Sequence, residues 1–175
     1  MARNVEIKAR IASVESLLPL ARACADGPPE LIAQDDTFFT CTTGRLKLRA
    51  FGDGSGELIA YQRADASGPK TSDYSIAPVA DPDALRATLA RGLGITGRVV
   101  KRRTLLLAGR TRLHLDRVDG LGDFLELEVV LRDDQSAADG DALARKLLAQ
   151  LGVAPGELVA GAYIDLLRLR DSPPP

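Results

Sequence analysis

The sequence predicts an α+β fold: an antiparallel sheet closed into a barrel around a polar lumen, with helices packed on the outside. Two observations carry this expectation. Strand-like runs recur with charge on one face and apolar side chains on the other, beginning with Asn4-Val5-Glu6-Ile7-Lys8-Ala9-Arg10-Ile11, and successive strand side chains point to opposite faces. The charged faces carry both signs on several strands, so if the apolar faces pack beneath helices, the charged faces meet across an interior.

The elements follow in order. After the first strand, Ser13 to Ala25 places Val14, Leu17, Leu18 and Ala21 at helical spacing, with Ser13 as N-cap and Gly27-Pro28-Pro29 as the stop. Gln34 to Thr42 and Arg45 to Arg49 read as strands around Gly44. Gly52-Asp53-Gly54-Ser55-Gly56 then leads to Glu57–Arg63, the pattern of a hairpin with a longer loop. Its glycines lack the spacing of a phosphate-binding loop. Ala64 to Lys70 is rich in turn formers, and extended structure resumes over Ser72–Val79. Asp81 caps a helix that starts with Pro82 and runs to about Arg91, where Gly92 and Gly94 end it. Val99–Leu107, Arg110–Val118 and Phe124–Leu131 are three further strands joined by glycine turns. Ser136–Leu151 is an amphipathic helix, Pro155–Leu169 a helical end piece, and 171–175 a proline-rich tail expected to be disordered after a single domain over residues 1–170.

Composition narrows the function. The 23 basic and 24 acidic residues give a net charge of −1, so the whole molecule has no strong pull toward nucleic acid or a membrane surface. No segment reaches the roughly 20 apolar residues of a membrane span, and the N-terminus opens directly into the charged strand, so a cytoplasmic protein is expected. Cys24 and Cys41 are too few for a disulfide framework and wrongly spaced for a zinc site.

The strand faces supply the chemistry. Arg45, Lys47 and Arg49 share one face, as do Lys101 and Arg103; Arg110, Arg112, His114 and Asp116; and Glu126 and Glu128. On one strand, a solvated face with cross-strand ion pairs explains such a pattern. Five strands together favour a shared lumen, where buried charge must be paired or liganded. Glu126 and Glu128 can converge on one hard cation, and Glu6 and Asp116 can complete an oxygen shell for Mg²⁺ or Mn²⁺. The cations offer charge-assisted bonds to phosphate oxygens. Together they point to a polyphosphate ligand.

Asn4-Val5-Glu6-Ile7-Lys8, Arg45-x-Lys47-x-Arg49, Tyr61-x-Arg63, Lys70 before Ser72-Asp73-Tyr74, Arg110-x-Arg112-x-His114-x-Asp116 and Glu126-x-Glu128 resemble the CYTH superfamily of triphosphate tunnel metalloenzymes, over Arg3 to about Leu167. The resemblance implies an eight-stranded antiparallel tunnel. It implies metal on Glu6, Asp116, Glu126 and Glu128, and triphosphate on Lys8, Arg45, Lys47, Arg63, Lys70, Arg103, Arg110 and Arg112. Glu6, Lys8, Glu126 and Glu128 are the implied catalytic set, and Arg10 and Arg49 are expected near the mouth. The stretch from Val118 to Glu128 is most similar to the class IV adenylate cyclase branch. One departure matters: the family signature Glu-x-Glu-x-Lys has Asn4 in its first position, which offers a carbonyl oxygen but no charge.

Three functions fit. The first is a metal-dependent phosphohydrolase of inorganic triphosphate, thiamine triphosphate or ATP. The second is a cyclase forming cyclic AMP and pyrophosphate, which needs a base-reading pocket the sequence does not reveal. The third is a polyphosphate sensor. A homodimer is compatible with the resemblance. His114, the only histidine, reads first as part of a polar wall and second as a proton relay. Tyr163 fits core packing, a dimer contact or substrate contact, and Tyr74 fits a nucleobase contact or the barrel exterior.

Overall fold

The structure, a computed structural model, describes residues 3–63 and 70–171. Residues 1–2, residues 64–69, whose sequence is rich in turn formers, and the tail beyond Asp171 lie outside the described residues. The order is β1 (Arg3–Arg10), α1 (Val14–Cys24), β2 (Glu30–Phe39), β3 (Arg45–Phe51), β4 (Gly56–Arg63), β5 (Lys70–Val79), α2 (Pro82–Leu93), β6 (Ile95–Ala108), β7 (Thr111–Val118), β8 (Gly122–Val130), α3 (Ala137–Gln150) and α4 (Tyr163–Asp171). Sequence caps hold where they were read: the Ser13 hydroxyl accepts from Ser16 N and the Asp81 carboxylate from Ala84 N. Two strands run longer than their patterns suggest. β2 begins at Glu30, and β6 begins at Ile95, directly after Gly94 turns the chain at φ +76°.

Eight antiparallel strands curl into a wall whose hydrogen-bonded neighbours run β1-β5-β4-β3-β2-β6-β7-β8. β1 pairs with β8 from Asn4 to Arg10, but with β5 only through the four pairs Arg3/Asp73, Asn4/Ser72, Val5/Thr71 and Glu6/Lys70. The expectation of a sealed tunnel is corrected here, because the two strands are offset along their lengths. Tyr74–Val79 run past the start of β1, and Ile7–Arg10 have no β5 partner among the described residues. The C-terminal segment takes part of that edge, with Val159 N donating to Lys8 O at 2.9 Å and Leu158 bridging Ala9.

The apolar outer faces build the core. Val5, Ile7, Leu113, Leu115, Leu125, Leu127 and Val129 are buried beneath Leu17 and Ala21 of α1 and Ala144, Leu147 and Leu148 of α3. Each such side chain contributes about 1.5–3 kcal/mol by leaving water. Gly140 lets α3 approach β1, since a Cβ there would stand 2.7 Å from Val5 Cγ2. With the outer faces covered in this way, strand alternation turns the charged residues inward.

Antiparallel strands end alternately at two rims. One rim is made by the starts of β1, β2, β4 and β7 and the ends of β3, β5, β6 and β8; the other is made by their opposite ends. The second rim is plugged. Ala162, Tyr163 and Ile164 pack with Phe38, Val99, Val118 and Phe124, and Gly97 leaves the space that Ile164 Cδ1 fills. Lys8 Nζ donates to Gly161 O at 3.2 Å and Arg45 Nη2 to Asp165 Oδ2 at 2.7 Å, so this segment is tied to opposite walls. The lumen is therefore a pocket with one open end.

Candidate functional site

The lumen holds a cavity of about 340 Å³. Among the described residues six cations line it: Lys8 from β1, Lys47 and Arg49 from β3, Lys101 and Arg103 from β6, and Arg112 from β7. Each sits at an alternate strand position whose neighbours in sequence face the outer layer. Five carboxylates, Glu6, Asp36, Glu57, Glu126 and Glu128, line it with them.

Two aspartates are saturated by cations. Asp116, fully buried, receives Arg103 Nε and Nη2 at 2.7 Å each, Lys101 Nζ at 2.9 Å and the Tyr163 hydroxyl at 3.0 Å. Burial pushes its carboxyl up, yet Arg103 and Lys101 overcome this and hold it well below the ordinary carboxylate range. Its oxygens are committed, so Asp116 is not placed as the metal ligand expected from the sequence. It positions Arg103 and Lys101 instead. Asp36 plays the same part on the opposite wall, taking Lys47 Nζ at 2.7 Å and Arg49 through Nε at 2.7 Å and Nη2 at 2.8 Å. Lys47, desolvated and beside Arg49, has its pKa lowered from 10.5 to about 8.

Glu6, Glu128 and Arg112 stand abreast on β1, β8 and β7, two residues closer to the open rim than Lys8, Glu126 and His114. Arg112 Nε lies 3.2 Å from Glu128 Oε2, and His114 Nε2 lies 3.9 Å from the same oxygen. Asn4 Nδ2 donates to Glu128 Oε1, so Asn4 faces the charged side as the alternation predicts. The two glutamates of β8 differ. Burial raises the Glu128 carboxyl, with the neighbouring Glu6 and Glu126 charges adding to this against Arg112. Glu126 is also desolvated, but Lys8, Arg103 and Lys101 outweigh that and hold it far below the usual range. His114 is buried beside Arg103, which together keep its imidazole neutral.

Other expected residues fall elsewhere. Arg110 is exposed in the β6–β7 turn, its Nε donating to Val130 O at 3.2 Å; the strand begins one residue later, which removes it from the lumen. Arg45 lies at the plugged rim on Asp165, also away from the cavity lining. The side chains of Arg63 and Lys70 lie outside the described residues. Arg49 lines the lumen rather than marking its mouth, whereas Arg10 is exposed over the Phe124 ring at the plugged rim. Asp36 was missed because Asp35-Asp36 is ambiguous in parity until the strand's bounds are known. Tyr163 joins the site through tertiary packing, its ring 3.9 Å from Lys8 Nζ.

The donor set fits a shared magnesium or manganese site more closely than an all-protein cage. Among the described residues, no group of three or more His, Cys, Asp or Glu side chains is arranged to hold a metal. Glu6 and Glu128 are opposed, however, and Asn4 Oδ1 is buried without a hydrogen-bond partner next to Glu128. Mg²⁺ takes one or two carboxylates and completes its shell with water and substrate oxygens.

Residues 2–163 match the CYTH domain family. No curated protein matches the chain. The fold is similar to the PH1012 protein of Pyrococcus horikoshii OT3, with TM-score 0.81 and 22% identity over 93% of this chain and 98% of that one. It is also similar to a candidate adenylate cyclase from Vibrio parahaemolyticus, with TM-score 0.72 and 19% identity over 94% and 97% of the two chains. A candidate adenylyl cyclase from Hippeastrum, described as having a dominant triphosphatase activity, aligns with TM-score 0.67 and 14% identity over 99% and 98%.

Proposed function

The chain belongs to the CYTH domain family, and on that premise we propose that it is a divalent-metal-dependent phosphohydrolase acting on a triphosphate. The observation that carries this reading is the facing of six cations, Lys8, Lys47, Arg49, Lys101, Arg103 and Arg112, into one cavity beside Glu6, Glu126 and Glu128. Family membership and the triphosphatase activity described for the Hippeastrum relative support it.

Charge balance favours metal dependence. Adding Asp116 behind Arg103 to the five lining carboxylates gives six anions against six cations among the described residues. A polyphosphate entering this near-neutral lumen is favoured when a divalent cation accompanies it. Glu6 and Glu128 would hold that ion, with Asn4 Oδ1 beside them, and the ion would polarise a phosphoryl oxygen as a Lewis acid.

The protein's own groups do the rest. Arg103 presents a guanidinium locked in place by Asp116, and Arg49 one locked by Asp36, so neither loses side-chain freedom when phosphate binds. Arg112, less buried, reaches the phosphates from the open side. A carboxylate near the scissile phosphoryl group, Glu6 by position, takes a proton from the attacking water. Lys8 and Lys101 stabilise negative charge at the inner end.

A second reading, cyclization of ATP by attack of the ribose 3′ hydroxyl, uses the same phosphate site and is favoured by Ile32, Phe51 and Ile76, which line the same cavity and offer an apolar surface to a base. Incubating the protein with Mg²⁺ or Mn²⁺ and each of ATP, inorganic triphosphate and thiamine triphosphate distinguishes them. Orthophosphate supports the hydrolase, and cyclic AMP with pyrophosphate supports the cyclase. Tight binding without turnover leaves a sensor.

A further inference from the structure

Lys47 and Arg49 rest on Asp36, Lys101 and Arg103 on Asp116, and Arg112 on Glu128. Lys8, whose charge acts on Glu126, also meets the C-terminal segment at three points. Its ammonium lies 3.9 Å from the centre of the Tyr163 ring and donates to Gly161 O at 3.2 Å, and its backbone oxygen accepts from Val159 N at 2.9 Å. The ring is itself fixed. Gly161 turns the chain at φ +82° into α4, where the Asp165 carboxylate accepts from Ala162 N at 2.9 Å while also receiving Arg45. The Tyr163 hydroxyl donates to Asp116 Oδ2 at 3.0 Å, and Phe124 meets the ring edge-on with centroids 5.0 Å apart.

We propose that Tyr163 is a positioning residue of the phosphate site: the face of its ring holds the Lys8 ammonium at the inner end of the lumen, so the plug is a working part of the site as well as its floor. The inference rests on the triphosphate reading above, in which Lys8 stabilises negative charge on the ligand. Three arguments assign the role to the ring. A lysine ammonium is a compact charge on a flexible four-carbon stem, so its placement is imposed by what surrounds it. The negative face of an aromatic ring attracts a cation, most strongly where water is excluded, and Lys8 and Tyr163 are only 3% and 7% exposed. The hydroxyl, finally, is committed to Asp116; burial and that carboxylate raise its pKa well above the ordinary tyrosine value, so it remains a phenol and moves no proton. Lys101 stands farther from the ring centre, at 5.0 Å, and bonds Asp116 directly.

The test replaces Tyr163 by phenylalanine (Tyr163→Phe) and by progressively fluorinated phenylalanines, which keep the shape of the ring while weakening the negative charge of its face. Initial rates with Mg²⁺ and inorganic triphosphate are measured across this series, once with Lys8 present and once in Lys8→Met. With Lys8 present, kcat is expected to fall stepwise with fluorination, by about 10-fold over the series, while KM changes less than about threefold. In Lys8→Met the series should be flat, because the ammonium that feels the ring is gone. A flat series with Lys8 present, or an equal slope without it, overturns the inference while leaving the triphosphate reading standing; the first comparison decides alone should Lys8→Met not fold. A wild-type protein that binds inorganic triphosphate without cleaving it removes the hydrolase reading only, and the same series is then read on affinity. One that neither binds nor cleaves it overturns both.

Discussion

Arg103 and Asp116 face each other across β6 and β7 in a two-pronged ion pair, with both N–O distances 2.7 Å. The pair is buried and shared with Lys101 and Tyr163, so the carboxylate acts as an anchor for cations rather than as a ligand for metal. Removing one partner of a buried charge network leaves the others without compensation.

Asp116→Asn is therefore expected to lower unfolding free energy by about 3–5 kcal/mol, because Arg103 and Lys101 lose their counter-charge in a dry site. Chemical denaturation measures this. A loss below 1 kcal/mol would show that the network is not structural.

Glu128→Gln separates metal binding from folding. It keeps the acceptor for Asn4 while removing the charge, so stability without metal should hold or rise slightly and Mg²⁺-dependent turnover should fall at least 100-fold. Arg112→Ala is expected to raise KM about 10-fold with a smaller change in kcat, since it touches the phosphates from the open side. Initial rates at varied Mg²⁺ and triphosphate concentrations check both; undiminished turnover in Glu128→Gln would sink the carboxylate assignment.

Asn4→Glu puts a third carboxylate beside Glu6 and Glu128 and removes the amide that donates to Glu128. The metal-free variant is expected to lose about 1–3 kcal/mol, the range for a lost charged hydrogen bond replaced by like-charge contact. Saturating Mg²⁺ should raise its melting temperature by more than it raises that of the wild type. Equal thermal shifts in the two proteins count against Asn4 as part of the metal site.

Lys47 gives a pH signature. Its pKa in the folded chain is about 8 against an ordinary 10.5, because burial and Arg49 disfavour the charged form. Between those values the unfolded chain binds more protons, so this residue makes stability rise with pH across that window. Triphosphate affinity should fall over the same window as the lumen loses a cation. In Lys47→Arg, which remains charged, the affinity profile should be flat through pH 8–9. A wild-type profile equally flat would mean Lys47 does not contact the ligand.

Much of the site was legible in strand parity. Alternation placed Glu6, Lys8, Lys47, Arg103, Arg112, Glu126 and Glu128 on inward faces, and all seven line the cavity. The same rule extended one residue too far puts Arg110 inside, whereas the chain has already turned at Gly109, with φ +57°, and leaves it in solvent. Asp116 shows the other limit. Parity says that a carboxylate points inward, but not whether a lysine or arginine on the next strand has already taken it.

The sequence alone determined the period-two pattern, and with it the α+β class and the inward charge, because side-chain direction in a strand depends only on position along the chain. Tertiary structure decided which charges neutralise one another, that the C-terminal segment closes one rim, and that apolar side chains such as Ile32 and Phe51 share the cavity wall with the charges. Those outcomes depend on register between strands distant in sequence, and a shift of one residue would send every side chain to the opposite face.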